Sequence, residues 1–235
     1  ALPELQGKTK EHLTNLLERE REIGLLTHLD GTWYNLHPAL PWFLRHRLTG
    51  DGREAAILTA FRETLAQLGL ELAGLMQSRE PQQRQLGQAL TRLEYENLLH
   101  ALELALATGQ SFVNSYMPLS FYLDASHDEA RGLELGQRVM AALDAWPAEL
   151  LSGQLGIELV GVVDDVASRH LTLKRYPEAQ AAYARALGLL EVLSDLAPEL
   201  REGGKANIYH QLGMVAQAQR QWPEAEGHCR KALDI

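Results

Sequence analysis

The chain has 235 residues, 46% apolar and 23% charged, which is enough to bury a core in one or two domains. Its net charge of −9 argues against a nucleic-acid surface and against attraction to an anionic membrane. A single cysteine, Cys229, excludes an internal disulfide and a multi-cysteine zinc site, and suits a reducing, cytoplasmic setting.

Leu and Ala dominate and aromatics make up only 6%, a bias that favours helices. No uninterrupted apolar run is long enough to span a bilayer. The start, "ALPELQGKTKEHL", is polar and carries no signal peptide pattern. It also lacks an initiator Met, and "CRKALDI" stops inside a helical pattern. Both ends are expected to be boundaries within a longer protein.

Residues 9–24 predict a helix, with Leu13, Leu16, Leu17 and Ile23 at helical spacing and an E-R-E-R-E run facing water. The period then changes. "LLTHL" and "TWYNL" flank Asp30-Gly31, which predicts a hairpin over 25–36 with a type I′ turn. Pro38 is expected to open a second helix running to about Leu48. Gly50-Asp51-Gly52 breaks the chain and marks a boundary. Beyond it, helices are predicted at 53–77, 81–107, 111–124, 127–145, 149–173, 177–196, 204–219 and 222–235. Pairs such as Glu80-Pro81, Thr108-Gly109 and Trp146-Pro147 punctuate them.

The last third repeats itself. "HLTLKRYPEAQAAYARAL" (170–187) aligns with "AQAQRQWPEAEGHCRKAL" (216–233), matching Tyr176-Pro177-Glu178-Ala179 to Trp222-Pro223-Glu224-Ala225. This pattern resembles the tetratricopeptide repeat, with Tyr209, Leu212, Gly213, Ala225 and Ala232 on the motif's key positions. Small residues at Ala179, Gly213 and Ala225 let paired helices approach closely. Cys229 takes an aromatic position and is expected to be a buried small hydrophobe. The register offset from Tyr176 to Trp222 is 46 residues, against about 34 in the ordinary repeat. The excess falls in "EVLSDLAPELREGG", expected to lengthen the second helix and the link.

"EYENLLHALELALATGQ" (94–110), with Glu96-Asn97-Leu98, Ala101-Leu102-Glu103 and Gly109, resembles a signature of the STAND signalling ATPases, the group that includes NB-ARC proteins. In that family it opens the helical repeats after a winged-helix domain. "TWYNLHPALPWFLRHRL" is similar to the end of that winged helix, where Leu36-His37-Pro38 follows the wing hairpin. The resemblance implies that His37 is the nucleotide-sensing histidine in the full-length protein, touching a phosphate of bound ADP. Pro38 stands where the eukaryotic motif has Asp. The chain has no G-x-x-x-x-G-K-[ST] loop, so no cofactor is expected on it, and ATP or ADP is implied only for the full-length protein.

The expected architecture is therefore all-α: a right-handed α-α superhelix of tetratricopeptide-like repeats after a small winged-helix remnant with one hairpin. Residues 1–50 form the remnant, 51–150 a helical repeat-like region, and 151–235 tetratricopeptide repeats. The implied function is a non-catalytic sensor region that recognises a protein, peptide or small-molecule trigger, with oligomer formation in the active full-length protein. The alternative is a constitutive scaffold holding a partner peptide without a nucleotide switch.

Competing chemistries lack support. His28, His37 and His46 have no H-E-x-x-H or cysteine context, so no metal is expected. Lys8, Lys10, Arg19 and Arg21 are cancelled by Glu11, Glu18, Glu20 and Glu22, which disfavours a DNA-reading helix. In "DASHDEARGLE" (124–134), Ser126 before Asp128-Glu129 predicts an N-cap rather than a catalytic cluster. Asp164 and Asp165 diverge by about 100° on a helix and make no acid–base pair. No Ser stands in a G-x-S-x-G setting, and no catalytic residue is expected. Trp33 and Trp42 are expected to pack. What remains is a surface: Asp164, Ser168 and Thr172, then Asn207, His210, Met214 and Gln217, on the first helices of successive repeats. Asp164, Asp165, His210 and Gln211 hold the positions of the chaperone-tail clamp of Lys, Asn and Arg, which is thereby disfavoured.

Overall fold

The computed structural model describes residues 7–30, 33–151, 153–193 and 196–235. Internal contacts divide the chain into two units, 1–63 and 64–235.

In the first unit, α1 (Lys10–Glu22) starts at Thr9, whose hydroxyl accepts from the His12 backbone N–H at 3.2 Å. β1 (Leu26–Asp30) and β2 (Trp33–Leu36) pair antiparallel, Leu26 opposite Leu36 and His28 opposite Tyr34, with an irregularity between His28 and Asp30. The hairpin is as expected. Gly31, on which the turn type rests, lies outside the described residues, as do the side chains of Trp33 and Trp42. Tyr34 donates to Glu18 at 2.7 Å and Arg21 pairs with the same carboxylate, which ties β2 to α1. α2 (Ala39–Leu48) follows one residue beyond Pro38. Among the described residues of this unit Leu26 is buried, whereas Ile23, Leu29, Leu36, Phe43 and Leu44 are exposed.

α3 (Glu54–Met76) contains the division between the units. The second unit continues with α4 (Pro81–Ala107), α5 (Val113–Ala125), α6 (Glu129–Asp144), α7 (Gln154–Thr172), α8 (Tyr176–Val192), α9 (Pro198–Ala218) and α10 (Trp222–Leu233). Pro81, Pro177, Pro198 and Pro223 occupy first turns, where a missing N–H costs nothing. Three helix pairs share one turn. His127, Lys174 and Arg220 each take φ near +60°, 47 and then 46 residues apart. The N–H after each bonds five residues back: Asp128 to Leu123, Arg175 to His170, Gln221 to Ala216. This is the left-handed helix stop, which also ends α1 at Gly24 and α4 at Gly109. The 46- to 47-residue interval between His127, Lys174 and Arg220 sets α5–α6 in step with α7–α8 and α9–α10, although its sequence carries little of the repeat motif. α6 packs on α7, and α8 on α9.

Several expected details differ. Ser126 ends α5, and Asp128 caps α6 by accepting from the Arg131 N–H. The helix expected from 149 begins at Gln154, after a 3-10 turn at Ala148–Leu151. A Cβ at Gly156 would collide with the Leu151 carbonyl, so this glycine lets the turn lie on α7. α8 ends at Val192 and α9 already begins at Pro198, so the extra residues lengthen the link and the first helix of the next pair. Gly203-Gly204 reads as a break but lies inside α9, where a Cβ on Gly204 would press Leu190 at 3.1 Å. Arg201 holds the early start by donating to the Leu193 carbonyl at 2.6 Å. Cys229 is exposed, not buried. α10 packs on α9, and a Cβ at Gly213 would meet the Cys229 sulfur at 2.9 Å.

Candidate functional site

A cavity of about 420 Å³ lies between α5 and α7. Two polar assemblies position its walls.

At one end Glu158, on α7, is buried. α5 supplies no capping side chain of its own. Glu158 substitutes for one across 45 to 47 residues of sequence. Its carboxylate accepts from Phe112 N at 2.9 Å, Val113 N at 3.1 Å and Ser111 Oγ at 2.7 Å. A carboxylate there satisfies N–H groups that the first turn leaves orphaned and meets the positive end of the helix dipole. Glu158→Ala should therefore lower stability by about 2 to 3 kcal/mol, measured as a shift in the urea midpoint. A loss below about 0.5 kcal/mol would show that α5 does not depend on this cap.

At the other end Arg169, on α7, is 2% exposed. Its Nη2 donates to Ser120 Oγ at 2.8 Å and Ser120 O at 3.1 Å, and pairs with Asp124 at 2.8 Å. Its Nη1 meets Glu129 at 3.3 Å and its Nε meets Asp165 at 3.4 Å. Asp165 also accepts from Tyr116, in a short hydrogen bond, and from Ser120 at 2.9 Å. α5, α6 and α7 thus converge on one guanidinium. Glycines on α6 make the room: a Cβ at Gly132 would collide with that guanidinium, and one at Gly136 with Val166. Burial works against charge on Arg169, yet Asp165 and Asp124 hold it more firmly protonated than in water. Burial, and then Asp165, push the Tyr116 hydroxyl well above its usual range, so it stays a donor.

Asp164, beside this assembly, differs. Its Oδ1 is buried without a hydrogen-bond partner. Burial first, and then Asp165, raise its carboxyl above the usual range.

The expected groove residues separate into two sets. Asp164 and Ser168 line the α5–α7 cavity; Asp164 is half-buried and Ser168 exposed. Thr172 is exposed one turn further on and bonds its own helix at Ser168 O. Asn207, His210, Met214 and Gln217 are exposed along α9 and do not line the cavity. His37, in the other unit, is exposed at the junction of β2 and α2, and its Nδ1 accepts from Ala39 N at 3.3 Å. Sequence reasoning did not assign the α5 side of the cavity, Tyr116, Met117, Ser120 and Phe121, nor Arg169 behind it. The available signal was a charged residue on the buried stripe of Val162, Val166 and Arg169. Asp124 and Glu129, noted earlier within an acidic run, flank that arginine. Among the described residues no cluster of His, Cys, Asp and Glu is arranged to hold a metal ion, and no helix is long and apolar enough to cross a membrane.

A tetratricopeptide-repeat family model matches residues 206–235, most of α9 and all of α10. No curated protein matches the chain.

Proposed function

We propose that this chain is a non-catalytic interaction module whose helix pairs stack as a right-handed superhelix and receive a partner peptide along the inner face of α5, α7 and α9. The observation that carries this reading is the run of solvent-facing side chains on successive first helices. Asp164 and Ser168 on α7 border a cavity, and Asn207, His210, Met214 and Gln217 continue on α9. The tetratricopeptide match at 206–235 supports it, because such repeats serve as protein-binding modules. Random peptides displayed on phage and selected on the chain test it. Replacing His210 and Gln217 together by Ala should weaken the selected peptides about five- to tenfold without unfolding the chain. Unchanged binding would move the site elsewhere.

A finer reading makes the module the sensor region of a STAND ATPase. Leu36-His37-Pro38 at the end of the hairpin and Glu96-Asn97-Leu98 on α4 favour it, and so do the exposed apolar residues Ile23, Leu29, Leu36, Phe43 and Leu44 of the first unit, which suit a further protein surface. The residues present do not themselves fit a nucleotide. The sequence has no phosphate loop, and the Nδ1 of His37 is already engaged by α2. ATP or ADP would belong to a module encoded upstream, and a gene without such a module would sink this reading.

A further inference from the structure

The α5–α7 cavity has apolar walls and an unbalanced charge at one end. Met117 and Phe121 from α5 and Ile157 from α7 line the walls. No Lys, Arg or His lines the cavity among the described residues, whereas Glu158, Asp164 and Asp165 do. Two of these carboxylates have work within the protein. Glu158 caps α5, and Asp165 accepts from Tyr116, Ser120 and Arg169. Arg169, which meets Asp165, already faces three carboxylates, Asp124, Glu129 and Asp165. Among the described residues no cation pairs with Asp164, and its Oδ1 has no hydrogen-bond partner.

A second, independent feature points the same way. Tyr183, on α8, is 0% exposed, yet its hydroxyl has no hydrogen-bond partner. It stands next to Asp164 and Ser168. Burial first, and Asp164 next, raise it far above its usual range, so it remains a neutral hydroxyl able to donate or accept. Tyr183 leans on the Ser168 hydroxyl without closing a hydrogen bond of good geometry, and the Asp164 Oδ1 has no partner; both adjoin residues that line the cavity. Buried polar groups are normally satisfied, so these two call for a partner that a bound ligand or a water supplies.

We propose that this cavity binds a basic side chain of a partner peptide, the ammonium of a lysine or the guanidinium of an arginine pairing with Asp164 while its aliphatic stem lies against Met117, Phe121 and Ile157. The proposal rests on the reading of the α5–α7–α9 face as a peptide site and adds its charge specificity. An acidic or neutral side chain would face Asp164, Asp165 and Glu158 without compensation.

The chain has four methionines, and Met117 alone lines the cavity. Methyl-labelled methionine therefore gives an internal control by NMR. Titrating Nα-acetyl-arginine N-methylamide or Nα-acetyl-lysine N-methylamide should shift the Met117 signal and leave that of buried Met76 in place. The neutral citrulline analogue should bind about tenfold more weakly. Asp164→Asn should lose the same factor while melting no lower than the parent, because it removes a carboxylate that burial disfavours. Equal binding of the citrulline analogue, or no Met117 response to any of the three, would overturn the proposal, and neither outcome depends on a variant that folds. If selected phage peptides bind through His210 and Gln217 but show no preference for a basic residue, the charge assignment fails and the peptide groove stands. If the arginine derivative binds at Met117 and no displayed peptide does, the peptide groove fails and the cation pocket stands.

Discussion

Arg169→Ala should destabilise the 64–235 unit by about 3 to 5 kcal/mol, the largest loss expected of any single side chain here. Arg169 is 2% exposed and supplies donors to Ser120 O, Ser120 Oγ, Asp124, Glu129 and Asp165. Removing it takes the shared cation from three carboxylates, which then face one another. The contributions are unequal. Asp124 is nearly half exposed and can recover water, so its share is screened. Asp165 and Glu129 are much less exposed and cannot. Arg169→Met keeps most of the side-chain volume, so a similar loss in Met and Ala variants assigns the effect to charge and hydrogen bonding rather than to a cavity. The pH dependence adds a check. Burial already raises Asp124 despite Arg169. Without the arginine, Asp124 rises further. A carboxyl whose folded pKa lies above its unfolded one contributes stability that is present below the unfolded value and lost as pH rises through the folded one. The deficit of either variant should therefore shrink as pH falls from neutrality into the carboxylate range. Urea midpoints at a series of pH values measure this. A loss under about 1 kcal/mol at neutral pH would show that the cluster is incidental to stability.

The repeat was legible where chemistry is local. Tyr176-Pro177 and Trp222-Pro223 place a proline in a first turn, and α8 and α10 begin there. Asp30-Gly31 between alternating segments marks a hairpin, and β1 and β2 pair. Glycine was ambiguous because sequence alone does not separate its two uses. At Gly109 it ends a helix with φ of +64°; at Gly204 it sits inside α9 so that Leu190 can approach. The equivalence of α5–α6 with the later pairs lay hidden, since the left-handed stops at His127, Lys174 and Arg220 fall on unlike residues.

Half of the candidate site was legible for the same reason. Asp164 and Ser168 follow from helical periodicity once α7 is recognised as the first helix of a pair. The partners on α5 do not, because they depend on contacts 45 to 49 residues away, as between Glu158 and Val113 or Arg169 and Ser120. Reading Asp164 and Asp165 as divergent neighbours was useful but incomplete. Asp165 turns to Tyr116 and Arg169 and serves the fold, whereas Asp164 keeps an unpartnered oxygen. Adjacent identical residues thus acquire different work from the helix faces they occupy.

Gly132→Ala should cost about 2 to 4 kcal/mol in the parent chain and nothing, or a slight gain, in the Arg169→Ala background. Gly132 lies inside α6 with ordinary helical geometry, where Ala is intrinsically better than Gly by about 1 kcal/mol. The penalty must therefore come from contact. A Cβ at this position would collide with the Nη1, Cζ and Nε of Arg169. The end of a long side chain can normally move away at little cost. This one is held by Ser120 from α5, Glu129 from α6 and Asp165 from α7, so displacement breaks several charge-assisted hydrogen bonds together. With Arg169 truncated, no guanidinium is left to displace and only the helix preference remains. The penalty should then vanish or reverse, giving a coupling of about 2 to 5 kcal/mol in a double-mutant cycle read from urea unfolding. Additive losses would mean that α6 tolerates the methyl group by shifting as a whole, and that the glycine was not required to seat the buried arginine.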